Sequence, residues 1–248
     1  MGSFANQAPD RMAQAGRLID LNRHLRTRLE DMAHDHVLST YAKPAAQKDI
    51  HVDPPVAAYP HRAGAEQAGE AGFLSPQQIA DQQTPVLLLG GRDASKTSFA
   101  YSIAIQVCDG LGTRLRSPIY LDLAPIRPRS DVIIRHVQNA LKTISERSRA
   151  THYCERGDFI FIFDHFDAND TRKANMVTAF MRSYPNNGYL LLACYPAGLP
   201  FRVASKHNLD APHKKLYIHP IKRPPIGVSL KIRLSRLLNR EYLSKNEM

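Results

Sequence analysis

The sequence has no long apolar run, no paired cysteines and no leader pattern. No apolar stretch approaches the ~20 residues needed to cross a bilayer, and the first residues lack the basic start, apolar run and small-residue cleavage site of a secretory signal. The three cysteines, Cys108, Cys154 and Cys194, lie far apart and form no CxxC pair. Such sparse cysteines are typical of a reducing compartment. We therefore expect a soluble, cytoplasmic protein without a membrane span.

Several catalytic signatures are missing as well. The sequence contains no HExxH zinc motif, no Gly-x-Ser-x-Gly nucleophile motif and no visible internal repeat. His34 and His36 lie near Asp31 and Asp35 in the chain. Residues two apart on a helix point to different sides, however, so this group is a poor metal site. Zinc-dependent and nucleophilic hydrolase chemistry is therefore not expected.

The composition is that of an ordinary globular protein with a basic end. Of the 248 residues, 43% are apolar and 23% are charged, which excludes a wholly disordered chain and a coiled-coil rod. The net charge is 33 − 23 = +10, and 11 basic against 3 acidic residues place +8 between Leu199 and Met248. Such an end binds nucleic acid, acidic lipid or an acidic protein, or only keeps a helix face solvated. We favour the solvated face.

Four segments follow one another along the chain. Residues 1–42 form an N-terminal segment whose helix is predicted over 10–37, with an apolar stripe at Leu18, Leu21, Leu25, Leu29 and Met32. We favour a packing helix over an oligomerising one. Residues 43–83 are a connector rich in proline and alanine, part of which is expected to lie extended on the next domain. The core domain covers 84–222, and an amphipathic basic helix is predicted over 223–248.

The core domain alternates short apolar runs with helical patterns. Continuous apolar strands between helices indicate a parallel sheet covered on both faces. The pattern predicts a doubly wound α/β domain with a mainly parallel five-stranded sheet, whose ligand lies at the carboxyl ends of the strands. The predicted strands cover 85–89, 119–123, 159–163, 189–194 and 215–218, and the predicted helices cover 96–107, 131–148 and 171–184.

The first of these strands ends in a turn that is typical of phosphate binding. The turn reads Gly90-Gly91-Arg92-Asp93-Ala94-Ser95-Lys96-Thr97, followed by Ser98. This is the GxxxxGK[ST] pattern with Ser95 in place of the second glycine. In that pattern the backbone N–H groups surround a phosphate, the lysine neutralises the β- and γ-phosphates, and the threonine hydroxyl binds Mg²⁺. We predict that residues 90–98 bind a nucleotide and that Thr97 is a metal ligand.

Position 95 is the one departure from this pattern. Serine keeps the N–H that a phosphate needs. It costs about 1 kcal/mol if a left-handed backbone is required there.

A second element supplies an acidic group. The apolar run Phe159-Ile160-Phe161-Ile162-Phe163 ends in Asp164. An apolar strand that ends in aspartate places a carboxylate beside the Mg²⁺ of P-loop proteins. We predict that Asp164 shares the metal with Thr97. The alternative is that Asp164 is a turn or helix-cap residue.

Together with the later YLLLACYP segment, these elements resemble the STAND class of P-loop NTPases, and in particular its NACHT-type members. The resemblance covers about 84–221. In that family the second acidic strand continues Asp-Gly-apolar-Asp-Glu, and here it reads Asp164-His165-Phe166-Asp167-Ala168. The resemblance implies a metal role for Asp164 and a catalytic role for Asp167. It also implies Mg²⁺ with ATP or ADP as cofactors, and a signalling switch with a protein partner or self-association.

Two departures from the family bear on hydrolysis. Ala168 stands where the second acid would be, and Ala193-Cys194-Tyr195-Pro196 replaces a Thr-Ser-Arg-Pro-like turn whose arginine senses the phosphate. Asp167 is left to orient water, with His165 as a substitute. Hydrolysis also needs charge stabilisation at the γ-phosphate. We therefore expect nucleotide binding with slow or absent ATPase activity.

Two other functions stay open. The first is a degenerate P-loop scaffold whose basic C-terminal region binds an acidic partner or nucleic acid, although nucleic acid is not favoured. The second, a metabolic kinase, is less favoured because no lid-like arginine-rich segment follows the core helices. No Asn-Lys-x-Asp guanine motif occurs, which favours ATP over GTP. From the resemblance we expect a fragment, a degenerate relative, or a subunit that works with another chain.

Overall fold

The computed structural model describes residues 7–40, 56–57, 73–91, 95–110, 112, 114–194 and 213–218. Most of the predicted connector and the predicted basic helix over 223–248 lie outside these residues. Among the helices described, none is long and apolar enough to span a bilayer.

The described residues form six helices and seven strands. The helices are α1 (Gln7–Thr40), α2 (Pro76–Ala80), α3 (Lys96–Cys108), α4 (Val132–Leu141), α5 (Ala150–Arg156) and α6 (Thr171–Ser183). The strands are β1 (Val56–Ala57), β2 (Phe73–Leu74), β3 (Val86–Gly90), β4 (Ser117–Asp122), β5 (Phe159–Phe166), β6 (Gly188–Cys194) and β7 (Lys214–Ile218). Apart from the helix over 131–148, the predicted elements that fall within the described residues are present, with ends shifted by at most three residues.

All seven strands belong to one sheet in the order β2-β1-β7-β3-β6-β5-β4. Neighbouring strands from β7 to β4 are parallel. The predicted five-stranded parallel sheet is therefore confirmed. Strand β1 pairs antiparallel with β7, Val56 opposite Ile218, and β2 pairs antiparallel with β1. Two short strands inside the predicted connector thus extend one edge of the sheet.

Helices cover both faces of the sheet. Successive side chains of a strand point to opposite faces, and every residue of β5 except His165 is buried. The Phe161 ring packs against Phe180 of α6, with centroids 4.9 Å apart. On the other face, Tyr120 of β4 packs against Tyr101 of α3 at 4.7 Å. The result is the doubly wound arrangement that the sequence predicts.

The N-terminal helix is part of this packing. The four leucines of its predicted stripe are buried and Met32 is partly buried against the core. Helix α1 contacts α3 and β4. Two polar side chains fasten it to the sheet. Asn22 donates to the Arg116 carbonyl at 3.0 Å, and Gln14 donates to the Asp158 carboxylate at 2.6 Å. Helix α1 is therefore a packing helix in this chain.

The helix predicted over 131–148 is interrupted. Helix α4 ends at Leu141 and is followed by two 3-10 turns, Lys142–Ile144 and Arg147–Arg149. Between them Ser145 adopts a left-handed backbone with φ 61°, which the α-helix does not tolerate. The separate helix α5 then begins at Ala150, beyond the end of the predicted helix, and no helix is predicted there.

A short helix also lies inside the predicted connector. Ser75 and Gln78 cap the start of α2 reciprocally, and Pro76 occupies its first turn. This Ser-Pro-x-Gln sequence is a helix-start signal, and the overall composition of the connector does not indicate it.

A substitution at Gly157 tests how tightly the backbone at the end of α5 is packed. The φ of Gly157 is +76°, and an added Cβ would lie 2.2 Å from the Asn186 carbonyl oxygen. We expect Gly157→Ala to lower the free energy of unfolding by roughly 1–3 kcal/mol more than Gly110→Ala. Gly110 is the matched control because its φ is +90° and an added Cβ meets nothing within 4 Å. Urea unfolding measures both, and equal losses would show that the Asn186 contact is unimportant.

Candidate functional site

The predicted site residues gather at the carboxyl ends of the parallel strands. Gly90 at the end of β3 is in register with Cys194 at the end of β6, and Cys194 is exposed. Asp122 of β4 is in register with Asp164 of β5. Helix α3, which follows β3, covers one face, whereas α6, which follows β5, covers the other. In open parallel sheets, helices that leave the strands towards opposite faces leave a ligand crevice at the carboxyl ends of the strands.

Ser95 adopts the conformation that its position in the loop demands. Its φ and ψ are 52° and 31°, in the left-handed region, and its side chain makes no capping hydrogen bond. A left-handed backbone costs an L-residue about 1–2 kcal/mol. The loop therefore does require a left-handed backbone at position 95, and serine bears the cost that glycine would avoid. Arg92, Asp93 and Ala94 lie outside the described residues.

Lys96 is a buried cation at the start of α3. Its side chain is only 8% exposed, and Nζ donates to the carbonyl oxygens of Gly90, at 3.2 Å, and of Gly91. In the part of the chain that the structure describes, no carboxylate pairs with it. The N-terminus of a helix adds partial positive charge at the same point. Thr97 and Ser98, in the same first turn, are partly buried.

Asp164 is the buried acid of the site. It is 1% exposed. One carboxylate oxygen accepts from the Tyr120 hydroxyl at 3.0 Å, and the other accepts from the His165 backbone N–H at 2.8 Å. Burial, and next the charge of Asp164, raise the pKa of Tyr120 well above its ordinary value, so the phenol keeps its proton. The carboxylate is thus held in one orientation.

His165 occupies an irregularity at the end of β5. The pairing register with β6 shifts between Phe163 and Phe166, and His165 has a φ of 52°. Its Nδ1 lies 2.8 Å from a carboxylate oxygen of Asp122. Bulges of this kind re-aim side chains at functional sites. When Nδ1 carries the proton and donates it to Asp122, Nε2 is left as an acceptor.

A layer of aromatic rings from α1 and α3 lies over Asp164. The His36 ring of α1 is 5.9 Å from Tyr101, and Tyr101 stacks near Tyr120. Burial lowers the pKa of His36, and the charge of Asp164 partly opposes this effect. The sequence analysis considered His36 only as a metal ligand. Its contact with Tyr101 depends on how α1 packs, which no sequence pattern shows.

Asp167, the predicted catalytic acid, is a turn residue in the structure. It is exposed, and one carboxylate oxygen accepts from both the backbone N–H and the side-chain amide of Asn169, each at 2.9 Å. The next residue, Ala168, packs against the hydrophobic core. The position where the family carries its second acid is therefore turned towards the core.

The donor set fits Mg²⁺ bound together with phosphate. Among the described residues no group of three His, Cys, Asp or Glu side chains forms a metal site. Mg²⁺, however, is usually held by one or two carboxylates plus phosphate oxygens and water. Strand β6 lies between β3 and β5, so the two strand ends are about 10 Å apart at the usual strand spacing. The Thr97 hydroxyl and the Asp164 carboxylate belong to opposite sides of that gap.

Comparisons with known proteins add little. No protein-family model matches the sequence, and no curated protein is significantly similar to it. Among solved structures the chain is similar to AMPPCP-bound DnaA from Aquifex aeolicus, at 8% identity over 56% of this chain and 42% of that one, with a TM-score of 0.28. The match thus spans less than half of that DnaA chain. A similarity of this size supports no functional argument.

The class of fold follows from the sheet itself. Five parallel strands carry helices on both faces, and the glycine-rich loop joins the central strand β3 to α3. The described core is an α/β fold of the P-loop NTPase type.

The backbone of the loop makes a testable prediction. Ser95→Gly removes the left-handed penalty, so we expect it to raise the free energy of unfolding by about 1 kcal/mol. Ser98→Gly is the matched control, because Ser98 lies inside α3 and glycine costs about 1 kcal/mol in a helix. Urea unfolding of both variants measures the contrast. A destabilised Ser95→Gly protein would contradict the left-handed conformation.

Proposed function

We propose that the chain is a nucleotide-binding P-loop domain that takes ATP or ADP with Mg²⁺. One observation carries the proposal. The Lys96 ammonium is buried among carbonyl groups of its own loop, at the carboxyl edge of the sheet, with no carboxylate partner in the described structure. A buried cation is stable only when it is paired. A phosphate at the start of α3 supplies that pair and also accepts from the loop N–H groups.

The metal completes the same site. Thr97 and Asp164 are the residues that would hold Mg²⁺, which when bound neutralises phosphate charge. The Tyr120 hydroxyl and the His165 N–H fix the Asp164 carboxylate. Each carboxylate oxygen has two acceptor positions, so these bonds leave capacity for a metal or for a metal-bound water.

Hydrolysis is slow or absent in this proposal. Ala168 supplies no acid, and Asp167 is engaged with Asn169. Of the two residues expected to orient water, His165 is the better placed, because Asp122 holds its ring through Nδ1. A histidine held in this way presents Nε2 as the acceptor for a water proton.

A signalling role of the STAND or NACHT type is the finer part of the proposal. It rests on the sequence resemblance over 84–221 alone, because no protein-family model matches the chain. In such a switch the bound nucleotide controls association with a protein partner or with a second copy. The packing of α1 on α3 gives the N-terminal segment a direct contact with the helix that begins at Lys96.

Nucleotide binding is tested by thermal unfolding with Mg²⁺-ATP, Mg²⁺-ADP and Mg²⁺-GTP. A ligand at 100 times its dissociation constant adds about 2.7 kcal/mol of stability. We expect ATP or ADP to stabilise the protein and Lys96→Gln to remove that response. The glutamine amide still donates to the loop carbonyls, so the variant is expected to fold.

Lys142→Gln is the control, because Lys142 is exposed and lies in a 3-10 turn after α4. It should keep the full nucleotide response. A folded wild-type protein that no nucleotide stabilises would overturn the proposal. The scaffold function with a basic C-terminal region would then be the better interpretation.

The role of His165 is tested in the hydrolysis assay. We expect a wild-type rate below about 1 s⁻¹, reduced at least tenfold by His165→Gln with the nucleotide affinity unchanged. Asp167→Asn should change the rate less than about twofold, because its carboxylate serves the turn. Single-turnover kinetics give the rate, and nucleotide titration gives the affinity. Loss of activity in Asp167→Asn alone would restore Asp167 as the catalytic residue.

A further inference from the structure

A polar cavity lies at the amino ends of the parallel strands, opposite to the strand ends that carry the Lys96 site. Its volume is about 220 Å³, and the polar side chains on its walls are Asp81, Gln83, Arg114 and Arg116. Arg116 immediately precedes β4, and Ile160 near the start of β5 forms another part of the wall. The cavity therefore opens at the amino ends of the strands, where the P-loop does not reach.

Arg116 is the unusual member of this cavity. It is only 9% exposed, and its Nε has no hydrogen-bond partner. No ion pair or hydrogen bond joins its guanidinium to any described residue. Buried guanidinium groups are normally satisfied by a carboxylate or by several acceptors. A buried guanidinium that has no partner and lines a polar cavity can donate hydrogen bonds to an acceptor bound there.

The surrounding backbone holds Arg116 in this position. The Asn22 side chain donates to its carbonyl oxygen at 3.0 Å. Its Nη1 lies where an added Cβ at Gly188 would come within 3.1 Å. Glycine at 188 thus makes the space that the guanidinium occupies. The arginine is built into the start of the sheet and is not a mobile surface side chain.

The local charges leave this end of the cavity positive. Arg114 supplies a second guanidinium, which is fixed by donation to the Arg156 carbonyl at 2.9 Å. Burial, and next the Arg114 charge, lower the pKa of Arg116, whereas Asp81 and Asp158 oppose the effect. Asp158 is already occupied by Gln14 at 2.6 Å and by Arg156 at 3.7 Å. Two arginines therefore face the cavity against one nearby carboxylate, that of Asp81.

We propose that this cavity is a binding site for a small oxyanion, either phosphate or a carboxylate, held by Arg116 and Arg114. The planar guanidinium group matches both anions with paired N–H donors. The volume is far above the ~10–15 Å³ that one water needs and below the roughly 300–1,000 Å³ of drug-sized ligand pockets. The ligand is therefore an ion or a small metabolite and not a nucleotide. The site is independent of the proposed nucleotide function.

The test titrates sodium phosphate and sodium acetate against sodium chloride at matched ionic strength. Calorimetry gives the affinity, and thermal unfolding gives the stabilisation. We expect at least one oxyanion to bind and stabilise the wild-type chain beyond chloride, and Arg116→Met and Arg114→Gln to weaken that binding at least tenfold. Arg172→Gln, an exposed arginine of α6, should leave it unchanged. Comparing phosphate with acetate identifies the preferred anion.

Two further variants separate this site from the P-loop. Lys96→Gln should keep the acetate response and the part of the phosphate response that Arg116→Met removes, whether or not nucleotide binds to the wild-type chain. Without added anion, Arg116→Met should raise the unfolding temperature, because it removes a buried charge that lacks a partner. A merely structural Arg116 would give the opposite shift.

Three results would overturn the proposal. The first is an oxyanion response that is equal in Arg116→Met, Arg114→Gln and the wild type. The second is a response that Lys96→Gln removes, which would place the anion at the P-loop. The third is the absence of any response beyond that to chloride.

Discussion

The junction between β3 and α3 is the constraint on which the candidate site depends. Strand β3 is buried throughout and lies between β7 and β6, so its end cannot move. Helix α3 must begin a few residues later with Lys96 turned inwards onto the carbonyls of Gly90 and Gly91. Ser95 accepts a left-handed backbone to allow this turn. The strain and the buried charge are both consequences of one short connection, and in the proposed function an anion at the helix start would neutralise the charge.

One helix links the two edges of the sheet. Helix α3 begins at Lys96, at the carboxyl edge, and ends at Cys108, shortly before the segment that carries Arg114 and Arg116. Helix α1 packs along it and holds the backbone of Arg116 through Asn22. The proposed nucleotide site and the proposed oxyanion cavity are therefore both connected to these two helices. A shift of α3 along the sheet would move both Lys96 and the segment that carries Arg114 and Arg116, since packed interiors transmit strain.

The fold was predictable from sequence because its signals are local. Continuous apolar runs such as 159–163 predict buried parallel strands, and the leucine stripe of α1 predicts the face that is buried. The contact between Asp122 and His165 was not predictable, because it depends on the register of β4 against β5. The Arg116 cavity depends on space left by Gly188, which is distant in sequence. The catalytic role predicted for Asp167 came from a family pattern. Its hydrogen bonds to Asn169 are typical of an aspartate in a turn, and the catalytic role stays a prediction.

The distribution of the three thiols has a practical consequence. Burial raises the pKa of Cys108 and of Cys154 to about 12, so both thiols are protonated at neutral pH and react slowly. Cys194 is exposed and stands in register with Gly90, next to the loop that begins there. A maleimide dye added to the native chain would thus attach first at Cys194. Its fluorescence would report on events at the glycine-rich loop without any engineered cysteine.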